Sequence, residues 1–229
     1  SMGKAVIIDI NTFSSHYNLS KRKGSDKDVD ALSEILRAFG FEVMIHENLS
    51  SDEVNRVIMN LALEDHSDNN CMLLTIMSHG DNNGVIYTTD GLIYTDDIQK
   101  PFTDPKSGSS LRGKPKIFFI QACRGSMKDV GALVEEIPYC PEPNLASKCA
   151  PSSKTEKFVI SALADILVFF SSSEGFPSFK NKHEGSWFIQ AISNNLRKCL
   201  EAEHPTDLMT ILHRVNREIA YSRQANTDD

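Results

Sequence analysis

Residues 71–77 read CMLLTIM and run directly into Ser78-His79-Gly80; residues 116–121 read KIFFIQ and run into Ala122-Cys123-Arg124-Gly125. Each is a short, nearly continuous apolar run, the pattern of a strand buried on both faces. Residues 4–9 (KAVIID) have the same character, and 41–46 read as a further strand. Helical patterns fall between them. From Asp26 onward Val29, Leu32, Ile35, Leu36 and Phe39 recur at helical spacing, with Gly40 as the stop. Ser51 and Asp52 offer N-caps to a second helix striped by Val54, Val57, Ile58, Leu61 and Ala62. Strands alternating with helices predict an α/β fold: a doubly wound, mostly parallel sheet flanked by helices.

Further out, residues 84–94 read as a small hairpin. Residues 126–157 are rich in Pro, Ser, Glu and Lys and carry no periodic apolar pattern, as expected of a functional or disordered linker. After them come strands over 158–162 and near 167–171, then helices over roughly 186–201 and 206–222. The chain thus divides into 1–125, a linker at 126–157, and 158–229, within one folded domain.

Composition excludes several classes. With 229 residues, 40% hydrophobic and 24% charged, the chain is long enough for a full core and ordinary for a globular protein. A net charge of −7 argues against nucleic acid or anionic membranes as general partners, since both reward Lys and Arg. No apolar run is long enough for a bilayer, and no secretory leader is expected. Cys71, Cys123, Cys140, Cys149 and Cys199 are odd in number and lack CxxC spacing, so neither a disulfide framework nor a zinc site is expected. That leaves no metal, no cofactor and a reducing, cytoplasmic setting.

The chemistry lies at two strand ends. In an open α/β sheet, ligands bind beyond the carboxyl ends of the strands, so His79 and Cys123 are delivered to the same side of the molecule. A thiolate attacks a peptide carbonyl far better than a thiol, and an imidazole can favour the thiolate and later protonate the departing amine. Gly80 has no side chain, so its N–H, with that of Cys123, can make an oxyanion hole. Taken alone, a cysteine after an apolar strand is most often a core residue, and a lone histidine a surface one.

The run Gln121-Ala122-Cys123-Arg124-Gly125, with a histidine upstream, lifts both above that base rate, because it is the local signature of caspases. From about residue 4 to residue 222 the chain resembles a caspase catalytic domain of the short-prodomain type, with large and small subunit regions. Arg22-Lys23-Gly24-Ser25 followed by Asp28 resembles the family's loop after the first strand. Residues 164–181 with Gly185-Ser186-Trp187-Phe188-Ile189-Gln190 resemble the start of its small subunit, and Arg214-Val215-Asn216-Arg217 a motif of its last helix.

The resemblance implies a cysteine endopeptidase, made as a zymogen, that cuts after aspartate and acts in apoptosis. It implies Arg22 and Gln121 in the primary pocket, where a guanidinium fork and an amide suit a carboxylate. Ser178, Phe179, Lys180 and Trp187, with Asn181, would shape the substrate cleft, and the Ser20 carbonyl would orient His79. Asp129, the one aspartate of the linker, is the expected processing site. The implied partners are peptides or proteins with an acidic residue before the scissile bond, and a second caspase chain in a homodimer or heterodimer.

Two departures stand out. Phe179-Lys180 replaces the family's Trp-Arg pair, so a bidentate contact becomes a point contact, at about 1–3 kcal/mol of aspartate recognition and with looser discrimination against glutamate. Pro177 replaces an aromatic, which should open the adjoining subsite. The chain also stops soon after its last helix, where caspases add a strand, so a weaker dimer is expected. Both features keep open a second expectation: a weakly active or inactive homologue that regulates another caspase. A phosphate-loop reading of Gly108-Ser109-Ser110-Leu111-Arg112-Gly113-Lys114 fails, because Pro115 stands in place of the metal-binding Ser or Thr.

Overall fold

The computed structural model describes residues 1–103, 109–126, 165–176, 178–181 and 183–222. Asp129, Pro177, the strand expected over 158–162 and nearly all of the 126–157 linker lie outside these. The first half runs β1 (Gly3–Asp9), α1 (Ser25–Ala38), β2 (Phe41–Glu47), α2 (Ser51–Leu63) and β3 (Cys71–Met77). Short strands β4 (Gly80–Asp81), β5 (Val85–Tyr87) and β6 (Leu92–Tyr94) follow, then α3 (Thr95–Thr103) and β7 (Lys116–Gln121). The second half holds β8 (Ile166–Phe170), β9 (Lys180–Asn181), β10 (Gly185–Ser186), α4 (Trp187–Glu201) and α5 (Leu208–Ser222).

Five strands form one sheet in the order β2-β1-β3-β7-β8, with every pair parallel. The apolar runs are continuous in sequence, but the pleat divides them strictly between two cores. Ala5, Ile7, Leu73, Met77, Ile117 and Phe119 face α1, α4 and α5, meeting Leu32, Leu36, Phe188, Ile192 and Leu212. Val6, Ile8, Met72, Leu74, Ile76, Phe118 and Ile120 face α2 and α3, meeting Val54, Ile58, Leu61, Ile98 and Phe102. Full burial of Phe118, Phe119 and Phe188 contributes roughly 1.5–3 kcal/mol each. The fold is therefore the expected doubly wound α/β sheet.

Two local features differ from the sequence reading. The cap of α2 is Ser50, whose hydroxyl accepts from the Glu53 N–H while the Glu53 carboxylate accepts from the Ser50 N–H. Ser51 instead ties the helix to the β5–β6 hairpin, its N–H donating to Asp90 at 2.9 Å. Helix α3 was not expected, because Pro101 argues against a helix there. Buried Ile98 and Phe102 hold it against the sheet, and Asp96 and Asp97 suit its positive N-terminal end. Lys114, the phosphate-loop lysine of the rejected reading, donates to the His66 and Ser67 carbonyls at 2.6 and 2.8 Å.

Candidate active site

The register fixes where the two chemical segments emerge. Met77 pairs with Gln121, and one residue on the Ser78 N–H donates to the Gln121 carbonyl at 3.0 Å. The turns after β3 and β7 therefore leave the sheet side by side. Gly80 shows how close they come: a Cβ there would lie 2.4 Å from the Cys123 carbonyl oxygen and 2.8 Å from that of Val85. Only glycine fits such a contact.

His79 Nε2 lies 2.8 Å from the Ser20 carbonyl. A carbonyl only accepts, so in the neutral ring Nε2 carries the proton and Nδ1 is the nitrogen able to take one. The Phe13 ring packs against the imidazole, 4.9 Å between centroids. Burial pushes the His79 pKa below its ordinary value; the Ser20 carbonyl pulls it up, while the Arg22 and Lys180 charges push it further down. The ring thus stays neutral, and able to act as a base, to lower pH than free imidazole does.

The half-buried Cys123 thiol meets the backbone of Ser178, whose N–H lies 3.4 Å from Sγ and whose carbonyl lies 3.9 Å away. The Ser178 hydroxyl in turn accepts from Gln121 Nε2 at 2.7 Å. Gln121 Oε1 and Lys180 Nζ are both buried and have no hydrogen-bond partner among the described residues. Burial, and next the Arg22 charge, push the Lys180 pKa down to about 8, while Asp28, Asp9 and Asp26 pull it back up. Phe179 stacks on Trp187, 5.3 Å between ring centroids at 23°, and Asn181 accepts from the His183 N–H at 2.8 Å.

Arg22 sits between exposed Lys21 and Lys23, yet it is only 5% exposed. Its Nη1 donates to Asp9 Oδ1 at 2.7 Å and to the Ile10 carbonyl at 3.0 Å. A second buried carboxylate, Asp28 of α1, accepts from the Ser186 N–H at 2.8 Å and from Gln190 Nε2 at 3.0 Å. Burial raises the Asp28 pKa against the pull of those bonds. Gly185, at φ +96°, clears a path for that carboxylate, which a Cβ would meet at 2.3 Å.

The profile of the caspase domain matches residues 2–228. This chain belongs to the caspase family. Caspase-1 of Spodoptera frugiperda is 35% identical over 227 residues, covering 99% of this chain and 70% of that protein. Caspase-7 of Gallus gallus is 33% identical over 228 residues, covering 100% of this chain and 70% of its own length. The crystal structure of Spodoptera frugiperda caspase-1 superposes with a TM-score of 0.81 at 34% identity, covering 96% of this chain and 77% of that one. The protein is a cysteine-type peptidase, a hydrolase of the caspase kind, and the family acts on protein substrates.

Three residues that pack into this candidate site escaped the sequence reading. Asp9 was read only as the end of a strand and Asp28 only as an extension of a motif, and Phe13 drew no reading. The available signal was position: Asp9 ends β1 on the same sheet edge that delivers His79 and Cys123. No described helix is long and apolar enough to cross a membrane. The described residues also hold no cluster of three or more His, Cys, Asp or Glu fit for a metal ion.

Proposed function

We propose that this caspase cleaves peptide bonds after aspartate and, less strictly, after glutamate, with Cys123 as nucleophile and His79 as its acid–base partner. One observation carries the reading. Ser178 bonds the Gln121 amide through its hydroxyl and touches the Cys123 sulfur through its backbone, while Lys180, two residues on, feels the Arg22 charge. Basic groups and thiol belong to one neighbourhood.

In this reading the Cys123 thiol gives its proton to His79 Nδ1, and the sulfur attacks the carbonyl carbon of the residue before the scissile bond. A C–S bond forms, and the carbonyl electron pair moves to oxygen, where the Gly80 and Cys123 N–H groups receive it. Collapse breaks the C–N bond, and the imidazolium gives the leaving amine its proton from Nδ1. Water then hydrolyses the thioester and restores the thiol. A peptide library varied at the residue before the cut tests the specificity; preference for a neutral or basic residue there overturns it.

Lys180 brings pH into recognition. With its pKa pushed down to about 8, the cation is present below that pH and lost above it, so attraction for a carboxylate fades as pH rises through 8. KM for aspartyl peptides is expected to rise by up to about tenfold between pH 7 and pH 9. Lys180→Arg should lower KM roughly tenfold at neutral pH and flatten its pH dependence, because the planar fork stays charged. An arginine variant with the wild-type KM at both pH values would refute this.

We further read the chain as a zymogen cut after Asp129, at work in a reducing compartment such as the cytoplasm, where a thiol nucleophile survives. Mass spectrometry of an active preparation is expected to find a fragment ending at Asp129; cleavage elsewhere, or an intact active chain, removes the assignment. Pairing with a second chain, the same or another caspase, belongs to the same reading. A second role, as a weakly active regulator of another caspase, gains support from the Arg22–Asp9 pair, which offsets charge in the pocket. Labelling with an electrophilic aspartyl peptide separates the two, since a regulator with a dead pocket leaves Cys123 unmodified.

A further inference from the structure

Asp9 closes β1 in register with Met77, which in turn pairs with Gln121, so all three share one level at the carboxyl edge of the sheet. Its carboxylate is 1% exposed and takes three donors: Arg22 Nη1 at 2.7 Å on Oδ1, and Ser25 Oγ and Asn11 Nδ2, both at 2.9 Å, on Oδ2. Ser25 opens α1 and Asn11 follows β1, so Asp9 is fixed from both sides. The Arg22–Asp9 pair is buried on both partners, 4% and 1% exposed at the side chains, where water screens little. Lys180 Nζ, also buried, forms no ion pair or hydrogen bond among the described residues.

We propose that Asp9 is a specificity-determining positioning residue: by taking the Arg22 Nη1 edge it offsets the arginine's charge and leaves Lys180 as the main cation for a substrate carboxylate. The proposal rests on the reading of Arg22 and Lys180 as the acid-binding pocket. Before substrate arrives, the group Asp9, Arg22, Asp28 and Lys180 holds two acids and two bases. An entering carboxylate makes that group net negative, so its binding is weaker than two unopposed cations would give. The same pairing accounts for an otherwise odd combination, a buried guanidinium beside a buried ammonium.

Asp9→Asn keeps the shape and removes the charge: the amide oxygen still accepts from Arg22, and its NH2 meets the Ser25 hydroxyl and an Asn11 amide free to turn over. For an aspartyl peptide it is expected to lower KM about tenfold with kcat within about twofold, where a merely propping residue would raise KM. Charge offset also predicts coupling. Lys180→Met alone should raise KM about a hundredfold, but only about tenfold in the Asp9→Asn background, because Arg22 then binds unopposed. Should Asp9→Asn fail to fold, Asp9→Ser, smaller and also uncharged, is expected to move KM in the same direction. An unchanged or higher KM in the folded variant, or additive effects of the two changes, overturns the proposal. If the wild type cleaves asparaginyl and aspartyl peptides equally well, the pocket reading falls and takes this inference with it; if it prefers aspartyl peptides and KM does not drop in Asp9→Asn, only the role of Asp9 falls.

Discussion

Replacing Cys123 with alanine is expected to lower kcat for peptide cleavage by on the order of 10⁴-fold or more, with little loss of stability. The size follows from covalent chemistry. Without sulfur no thioester forms, and His79 and the backbone donors can only assist a direct attack by water. The small effect on stability follows from the contacts of the thiol. Cys123 is half-buried, and among the described residues the hydrogen-bond contacts of its sulfur are to the Ser178 backbone, at 3.4 and 3.9 Å. Losing so weak an interaction costs about 1 kcal/mol or less. Steady-state cleavage and a thermal melt check both halves. A Cys123→Ala protein that still turns over within tenfold of wild type would move the nucleophile to another residue, and one that fails to fold would make Cys123 a structural residue first.

Gly80→Ala is expected to do comparable damage by geometry alone. The added methyl would sit 2.4 Å from the Cys123 carbonyl oxygen, 2.8 Å from that of Val85 and 2.9 Å from the Ala122 Cβ. None of these is the loose end of a flexible side chain, so a backbone must shift. Either the Cys123 turn moves away from His79, or the short β4–β5 pair, in which Gly80 faces Ile86, comes apart. A displacement of about 1 Å in a catalytic pair costs about 10²-fold in rate, and overpacking costs about 1–3 kcal/mol of stability. The expected result is a drop in kcat of roughly 10²–10³-fold, with KM less affected, because Arg22 and Lys180, the two cations of the acid-binding pocket, sit on other segments. A variant within threefold of wild-type kcat would show that the two turns tolerate separation, and would weaken the case for an oxyanion hole at Gly80.

Much of this architecture was readable from the chain because burial leaves so plain a trace. The runs at 71–77 and 116–121 coincide with β3 and β7 because every residue in both is buried, so apolar character starts and stops with the strand. The approach of the two turns was legible for the same reason, since parallel strands carry their carboxyl ends to one edge. Charge was harder to read. Lys21-Arg22-Lys23 looks like a solvated basic loop, and nothing local says that the middle residue turns inward. That depends on Asp9, distant in sequence and itself read as a strand terminus. Helix α3 was missed for a related reason: Pro101 speaks against a helix locally, whereas Ile98 and Phe102 gain from it only through the core they enter. The Ser50 cap, by contrast, could have been found, because Glu53 stands three residues beyond it.

The first core draws side chains from both halves of the sequence, with Leu32, Leu36 and Leu73 interleaved with Phe188, Ile192 and Leu212. Strand β7 hydrogen-bonds along β8, and Asp28 holds the backbone just before α4. A single cut between the halves therefore severs the peptide without releasing either fragment. Each would carry an apolar face that the other covers, so a cut there would change the molecule's covalent continuity while its interior stays joined.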